Sequence, residues 1–132
     1  FWSQFHNSGA TGQANIGFNF TTTGTPKLNL RVMGQNASAP TQKNYPMVDF
    51  VRNKWYDIVL HIKWSSSPTV GFIEIWVDGQ LVTPKSNVAT LYVGQTAYWK
   101  QGFYRNAYSQ PPTVYHDGAR LGSSYDAVAN GF

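Results

Sequence analysis

Apolar and polar residues alternate along most of this chain, and a period of two predicts β-strands. The first segment, residues 1–6, places Trp2, Gln4 and His6 on one face of a strand and the residues between them on the other. The same pattern predicts further strands in the segments 16–21, 27–32, 54–64, 72–77, 81–82 and 98–105, and residues 113–117 lead to a final strand at 119–121.

Turn signals join these segments. Asp78-Gly79, between two alternating runs, is the strongest hairpin signal in the chain. Residues 34–46 are polar and contain Pro40, so they predict a loop. Residues 123–132 leave room for one short helical turn. In the segment 54–64, the side chains predicted to face inward are Tyr56, Ile58, Leu60, Ile62 and Trp64.

Roughly seven or eight short strands with Gly- and Pro-containing turns predict an all-β fold. The expected architecture is a two-sheet antiparallel β-sandwich of the jelly-roll type. The 132 residues suffice for one core, so residues 1–132 are predicted to form a single domain. The strand pattern is already in progress at Phe1, and we therefore expect further N-terminal strands of this domain to precede the chain.

Composition and charge narrow the classes of partner. The chain has no cysteine, which excludes disulfides and thiolate metal sites. No apolar run approaches the ~20 residues of a membrane span, so no membrane partner is expected. The net charge of +4 favours a polyanion, and because the basic residues are scattered along strands, an acidic polysaccharide is favoured over nucleic acid. Asn19 and Asn36 begin sequons that a secreting eukaryote would glycosylate.

The segment 98–105 carries the most unusual strand face. Its alternation puts Tyr98, Lys100, Gly102 and Tyr104 on one side, and phenol hydroxyls and an ammonium are costly to bury without partners. This face is typical of a groove floor. The structural alternative is an ordinary amphipathic strand, with exposed hydroxyls and a lysine that extends into solvent.

Two strand faces together would form a reactive constellation. If the first strand and the segment 98–105 are neighbours, Gln4 and His6 converge with Lys100 and Tyr104. An amide, an imidazole, an ammonium and a phenol suit β-elimination at a uronic acid, in which a proton α to a carboxylate leaves while the glycosidic oxygen departs. The amide and the cation can bind the developing enolate. The imidazole can take a proton, and the phenol can donate one to the leaving oxygen or act as the base.

These motifs resemble those of the jelly-roll polysaccharide lyases, namely the alginate lyases of family 7, the glucuronan lyases of family 20 and the heparin lyase I group. Gln4-Phe5-His6 is similar to the motif Gln-(Ile/Val)-His, and residues 98–105, Tyr-Trp-Lys-Gln-Gly-Phe-Tyr-Arg, are similar to Tyr-Phe-Lys-Ala-Gly-x-Tyr-Asn. The segments 55–64, 74–82 and 113–121 resemble the glucuronan and heparin lyase branch more closely. The resemblance implies a secreted, extracellular enzyme with a concanavalin-like β-jelly roll that requires no cofactor.

The resemblance also implies roles for individual residues. Gln4 would bind the carboxylate, His6 would neutralise it or act as base, Tyr104 would be the catalytic acid or acid/base, and Lys100 would bind substrate. The implied catalytic residues are His6, Tyr104 and Gln4, and the implied substrate-binding residues are Lys100, Tyr98, Arg105 and Trp2.

Two departures from the alginate lyase pattern leave a second function class open. Arg105 stands where the alginate lyases have Asn, and their third motif, an N-terminal strand with Arg and Glu, is absent from the chain. That arginine helps to bind the carboxylate, so the sequence does not decide whether this chain alone is active. The alternative is a non-catalytic carbohydrate-binding or structural jelly-roll module.

Other catalytic constellations find less support. His61 and His116 have no motif partners and are expected to be structural, and no serine lies in a nucleophile-elbow context. A hydrolase pair would have to use Asp57 and Glu74, with their carboxyl groups ~5 to 10 Å apart.

A metal ion is not required by this chemistry. A structural calcium could use Asp117 or Asp126, although no loop has the ligand spacing of a calcium site.

Overall fold

The computed structural model describes residues 1–106 and 109–129, which contain eight β-strands and one short helix. The elements are β1 (Ser3–Asn7), β2 (Ile16–Phe20), β3 (Lys27–Asn36), β4 (Ala39–Asp49), β5 (Ile58–Lys63), β6 (Phe72–Val77), β7 (Gln80–Asn87), β8 (Ala97–Gln101) and α1 (Tyr125–Ala129).

The strands form two antiparallel sheets, one in the order β4-β3-β2-β1-β8 and the other in the order β5-β6-β7. Apolar side chains of both sheets meet in one core. Its buried members are Ile16, Phe18, Leu30, Val32, Tyr45, Ile73, Ile75, Val77 and Val88. The predicted all-β sandwich of the jelly-roll type is therefore confirmed.

The clearest sequence patterns form the three-stranded sheet, but the predicted strand 54–64 is observed only over 58–63, and Trp64, which was predicted to face inward, is 38% exposed. Ile58, Leu60 and Ile62 of β5 pack against the core, while His61 lies between them on the outer face. The hairpin of β6 and β7 turns at Asp78 and Gly79, whose φ angles of 51° and 76° meet the requirement of a type I′ turn.

The predicted loop at residues 34–46 is wrong, because this segment forms the hairpin of β3 and β4. The turn between the strands is held by Asn36, whose side-chain oxygen accepts hydrogen bonds from the Ser38 amide at 3.0 Å and hydroxyl at 2.9 Å. β4 is an edge strand, where polar residues and Pro40 are tolerated because one side of the backbone needs no strand partner. The polar composition of this segment therefore led to the prediction of a loop where the chain forms an edge strand.

The predicted final strand at 119–121, to which residues 113–117 lead, is also wrong. These residues are exposed and have no strand conformation. Alternation alone does not make a strand, because a strand also needs hydrogen bonds to a neighbour, and this segment pairs with none of the described strands. The helical turn predicted in the tail is present as α1, and the residues after 129 lie outside the described part of the chain.

Within the described residues, no helix is both long enough and apolar enough to cross a membrane.

Candidate active site

The five-stranded sheet has an inner face in the core and an outer face on the other side. Phe5 of β1 packs against the core, so its neighbours Gln4 and His6 point to the outer face. Directly paired residues of adjacent strands share a face. We call this outer surface the polar face and define it by Gln4 and His6 and the residues in register with them.

The strands β1 and β8 are antiparallel neighbours, although the chain separates them by about 90 residues. Gln4 lies directly opposite Lys100, and His6 lies directly opposite Tyr98. The two motifs of the sequence are thus brought side by side on one face. The fold provides the adjacency that the elimination hypothesis requires.

The aromatic rings of the polar face are close enough to interact. The rings of His6 and Tyr98 have centroids 5.8 Å apart, and the ammonium nitrogen of Lys100 lies 5.0 Å from the centre of the Tyr98 ring. His6 Nδ1 is 3.0 Å from the carbonyl oxygen of Asn7, which leaves its Nε2 available for a proton at the surface. Tyr98 therefore lies between the imidazole and the ammonium.

Tyr104 lies beyond the end of β8, so the predicted strand 98–105 is too long. The strand ends at Gln101, and Gly102 follows with a φ of 142°, a conformation that favours glycine. The pairing of Ser3 with Gln101 would place Phe1 opposite residue 103, yet Phe1 exchanges backbone hydrogen bonds of 2.6 and 2.7 Å with Tyr104. This one-residue shift has the effect of a β-bulge.

A shallow cavity of about 190 Å³ nevertheless joins Tyr104 to the polar face. Its lining residues are Phe1, Ser3, Gln4, Lys100, Gln101, Gly102, Phe103 and Tyr104. Three of the four residues of the predicted constellation meet here, and His6 is the next residue on the same face of β1. Tyr104 is 70% exposed, so its hydroxyl is accessible to a ligand.

Two predicted substrate contacts lie elsewhere. Trp2 was expected on the face of Gln4, but its ring lies tilted against that of Phe18, with centroids 4.8 Å apart, and packs against the core. The alternation fails there because Trp2 precedes the first paired residue of β1. Arg105 donates hydrogen bonds to the backbone oxygens of Asn106 and Gln110, at 2.9 and 3.3 Å, and so lies along the loop after β8.

Sequence reasoning missed two further residues of the polar face, Gly17 of β2 and Arg31 of β3. The register places them in one row across the sheet, in the order Asn44, Arg31, Gly17, Gln4 and Lys100. The alternation in residues 27–32 places Arg31 on the face opposite Leu30 and Val32, but the order of the strands is needed to join that face to Gln4. The sequence therefore indicates the face on which Arg31 lies, but it does not indicate which strands lie beside it.

Arg31 is the most enclosed cation of this row. Its Nη1 donates a 2.8 Å hydrogen bond to the Gln13 side chain, and its guanidinium lies 4.4 Å from the centre of the Phe1 ring. Burial lowers the pKa of Arg31, although nearby Tyr92 opposes the shift, and the group remains a cation at neutral pH. Burial also lowers the pKa of the Phe1 amine, and the charge of Arg31 adds to that effect.

The other histidines lie away from the polar face. His61, which was expected to be structural, has its Nδ1 2.9 Å from Glu74 Oε2 on the outer face of the three-stranded sheet. His116 lies against Trp2, with ring centroids 6.4 Å apart.

The carboxylates of the described residues form no metal cluster, since no three His, Asp or Glu side chains there come together. Glu74 lies in β6, where it pairs with His61, and Asp57 directly precedes β5, so both residues belong to the region of the three-stranded sheet and not to the polar face. The expectation that no cofactor is needed, and that calcium, if bound, uses Asp117 or Asp126, stays a prediction.

No curated protein and no solved structure matches the chain. A family model described as polysaccharide lyase matches residues 2–120, a range that includes both motifs and all strands of the two sheets. The chain belongs to the polysaccharide lyase family.

Proposed function

We propose that this protein cleaves a uronic-acid-containing polysaccharide, most closely a glucuronan-like polymer, by β-elimination. The observation that carries the proposal is the register of β1 and β8, which sets Gln4 opposite Lys100 and His6 opposite Tyr98, beside a cavity that Tyr104 lines. A face built only to pack would not collect an amide, an imidazole, an ammonium and a phenol. Family membership supports lyase chemistry in general.

The reaction needs three groups around one sugar. A base removes the proton on C5, the C4–C5 double bond forms, and the bond from C4 to the glycosidic oxygen breaks. The departing oxygen must receive a proton, and the carboxylate on C5 must be neutralised while negative charge accumulates on it. The atoms and charges balance without an oxidant or a co-reactant.

The polar face offers a group for each task. The Gln4 amide and the Lys100 ammonium, which lie opposite each other, bind the carboxylate. His6 acts as the base, since a neutral imidazole accepts a proton near neutral pH. Tyr104, exposed at the rim of the cavity, donates its phenolic proton to the leaving oxygen.

The substrate class follows from charge and from the aromatic surface. The net charge of +4 attracts a polyanion, and Tyr98 offers a ring beside the reactive groups. Arg105 can contact a sugar only if its loop hydrogen bonds are exchanged. The preference for a glucuronan-like polymer rests on the resemblance of the segments 55–64, 74–82 and 113–121 to the glucuronan and heparin lyase branch. An enzyme for such polymers acts outside the cell, and we propose a secreted protein.

The decisive experiment incubates the chain with glucuronan, alginate and heparin in turn and follows the ultraviolet absorbance of the unsaturated uronate. We expect a rise with glucuronan and none with carboxyl-reduced glucuronan, because the reduced polymer has no carboxylate to acidify the C5 proton. New reducing ends without the absorbance would indicate hydrolysis. Binding without turnover would indicate a carbohydrate-binding module.

A matched pair of histidine variants tests the site. His6→Gln should abolish the rise, whereas His61→Gln, on the opposite side of the sandwich, should leave it unchanged. Equal activity of both variants would remove His6 from the mechanism.

A further inference from the structure

One part of the polar face is not used by the proposed elimination. Gly17 and Arg31 continue the row of Gln4 and Lys100 toward β4, on two strands that the motifs do not include. Adjacent strands lie ~4.8 Å apart, so the backbones of Gln4 and Arg31 are separated by roughly 10 Å. This places Arg31 two strands away from Gln4, with its guanidinium held by Gln13 and the Phe1 ring rather than by Gln4 or Lys100.

Gly17 makes a gap in this row. The ring of Phe1 lies in the gap, so close that a Cβ on residue 17 would come within 2.4 Å of it. The same ring lies over the guanidinium of Arg31. The space above Gly17 thus holds a six-membered ring beside a cation, with Gln4 on its other side.

Arg31 has hydrogen-bonding capacity left in this environment. Its Nε and Nη2 are buried and have no hydrogen-bond partner among the described residues, while Nη1 binds Gln13. Unpartnered buried N–H groups are costly, and Nε with Nη2 form the edge that binds a carboxylate in a bidentate manner. A bound carboxylate would relieve this cost.

A second polar group lies two residues away on the same face of β3. Asn29 donates to the Asn19 side chain at 2.7 Å, and its own Oδ1 is buried without a partner among the described residues. A carbonyl oxygen in that state can accept a hydrogen bond from a sugar hydroxyl. The surroundings of Gly17 therefore offer a donor edge for an acid group and an acceptor for a hydroxyl.

We propose that the space above Gly17 is a second sugar subsite, in which Arg31 binds the carboxylate of a uronate that neighbours the one cleaved, after the Phe1 side chain moves aside. The proposal rests on the proposed function and deepens it. It requires a polymer with acid groups on more than one sugar, so homopolymeric uronates are preferred over polymers in which acidic and neutral sugars alternate.

The test measures binding without turnover. In a Tyr104→Phe background, the affinity for glucuronic acid and for an oligoglucuronate is measured by titration calorimetry with and without Arg31→Gln. We expect the oligomer to lose about tenfold in affinity, because a charge-assisted bidentate contact is removed, while the monosaccharide is unaffected. Phe1→Ala should raise the affinity for the oligomer, since the ring competes for the space.

Two control variants separate this role from a structural one. Gln13→Ala removes the hydrogen bond of Arg31 while keeping the guanidinium, and Lys85→Gln removes a positive charge from the outer face of the other sheet. Both should change the affinity by less than about twofold. If Gln13→Ala reproduces the loss, Arg31 only supports the adjacent loop and the proposal is wrong.

The outcomes also distinguish the two proposals. Arg31-dependent binding without elimination by the unmodified chain would keep the subsite and overturn the proposed reaction. Elimination with an oligomer affinity that ignores Arg31→Gln would keep the reaction and overturn the subsite. If no oligoglucuronate binds, the subsite proposal fails as well.

Discussion

The two faces of the five-stranded sheet come from the same strands and obey different rules. On the inner face, Ile16, Leu30 and Val32 are fully buried against the other sheet. On the outer face, the residues that alternate with them include Gly17 and Arg31, and the same row reaches Lys100. The inner face stabilises the fold through apolar contact, whereas the outer face leaves polar groups with unused bonding capacity. Along each strand, residues that stabilise the core thus alternate with residues whose polar groups are available to a ligand.

Glycine shows the same contrast. A Cβ on Gly34, which shares the parity of Leu30 and Val32 in β3, would come within 2.5 Å of the backbone oxygen of Ala89. On Gly17 the three nearest atoms it would meet all belong to the side chain of Phe1. One glycine permits close packing of the backbone, and the other leaves space on a surface.

The largest effect should come from a residue that contributes little to stability. Tyr104→Phe removes a proton donor from a side chain that is 70% exposed, so we expect turnover to fall by about 10²–10⁴-fold with the free energy of unfolding unchanged within ~0.5 kcal/mol. Initial elimination rates and denaturant unfolding measure both quantities. Tyr115→Phe, at a 76% exposed tyrosine outside the site, is the control and should alter neither. Retained turnover would assign the proton transfer to another group.

The inner face should respond in the opposite way. Leu30→Ala opens a cavity in the core, and we expect the free energy of unfolding to fall by about 2–5 kcal/mol. Urea unfolding measures the loss, and KM of the protein that remains folded should not change. A loss below about 1 kcal/mol, or a changed KM, would show that the two faces are not independent.

The two glycines test the same comparison of faces, with smaller expected losses of stability. Gly34→Ala should destabilise the protein by about 1–3 kcal/mol or more, since backbone atoms must shift, whereas Gly17→Ala should cost less than about 1 kcal/mol because the Phe1 ring can rotate away. Thermal unfolding of both variants checks the order. Equal losses would mean that the space above Gly17 is as tightly packed as the core.

The smallest effect lies at the hairpin turn, away from both faces. Lys54 lies 2.7 Å from Asp78, and its hydrogen bond holds the pKa of the Asp78 carboxyl below its usual value. Asn at 78 keeps the acceptor for the Asp57 amide and tolerates the positive φ, so Asp78→Asn isolates the charge.

A group with a depressed folded pKa stabilises the protein above its unfolded pKa of about 3.9, and this contribution disappears as the pH falls through the folded value. We therefore expect a small loss of stability at neutral pH that vanishes in acid. A difference between the two proteins that persists below about pH 2 would contradict an electrostatic origin.

The sequence predicted those parts of the fold in which local pattern and long-range environment agree. Alternation identified β5 and β6, and the Asp-Gly pair identified the turn between β6 and β7, because both signals are read within a few residues. It failed for β4, whose polar residues suit an edge strand, and for 113–121, a segment that pairs with none of the described strands. A strand depends on its neighbours, which lie far away in the chain.

By itself, the sequence determined the fold class, the two motifs and the faces on which Gln4, His6, Lys100 and Tyr98 lie, since a period of two fixes which side chains point together. Only the tertiary structure decided that β1 joins β8, that Tyr104 reaches the polar face from beyond a strand end, and that Arg31 belongs to the same row. The physical reason is that burial of the inner face sets strand order and register, and that it does so between strands joined by long loops. Which residues meet on the outer face therefore follows from packing on the other side of the sheet.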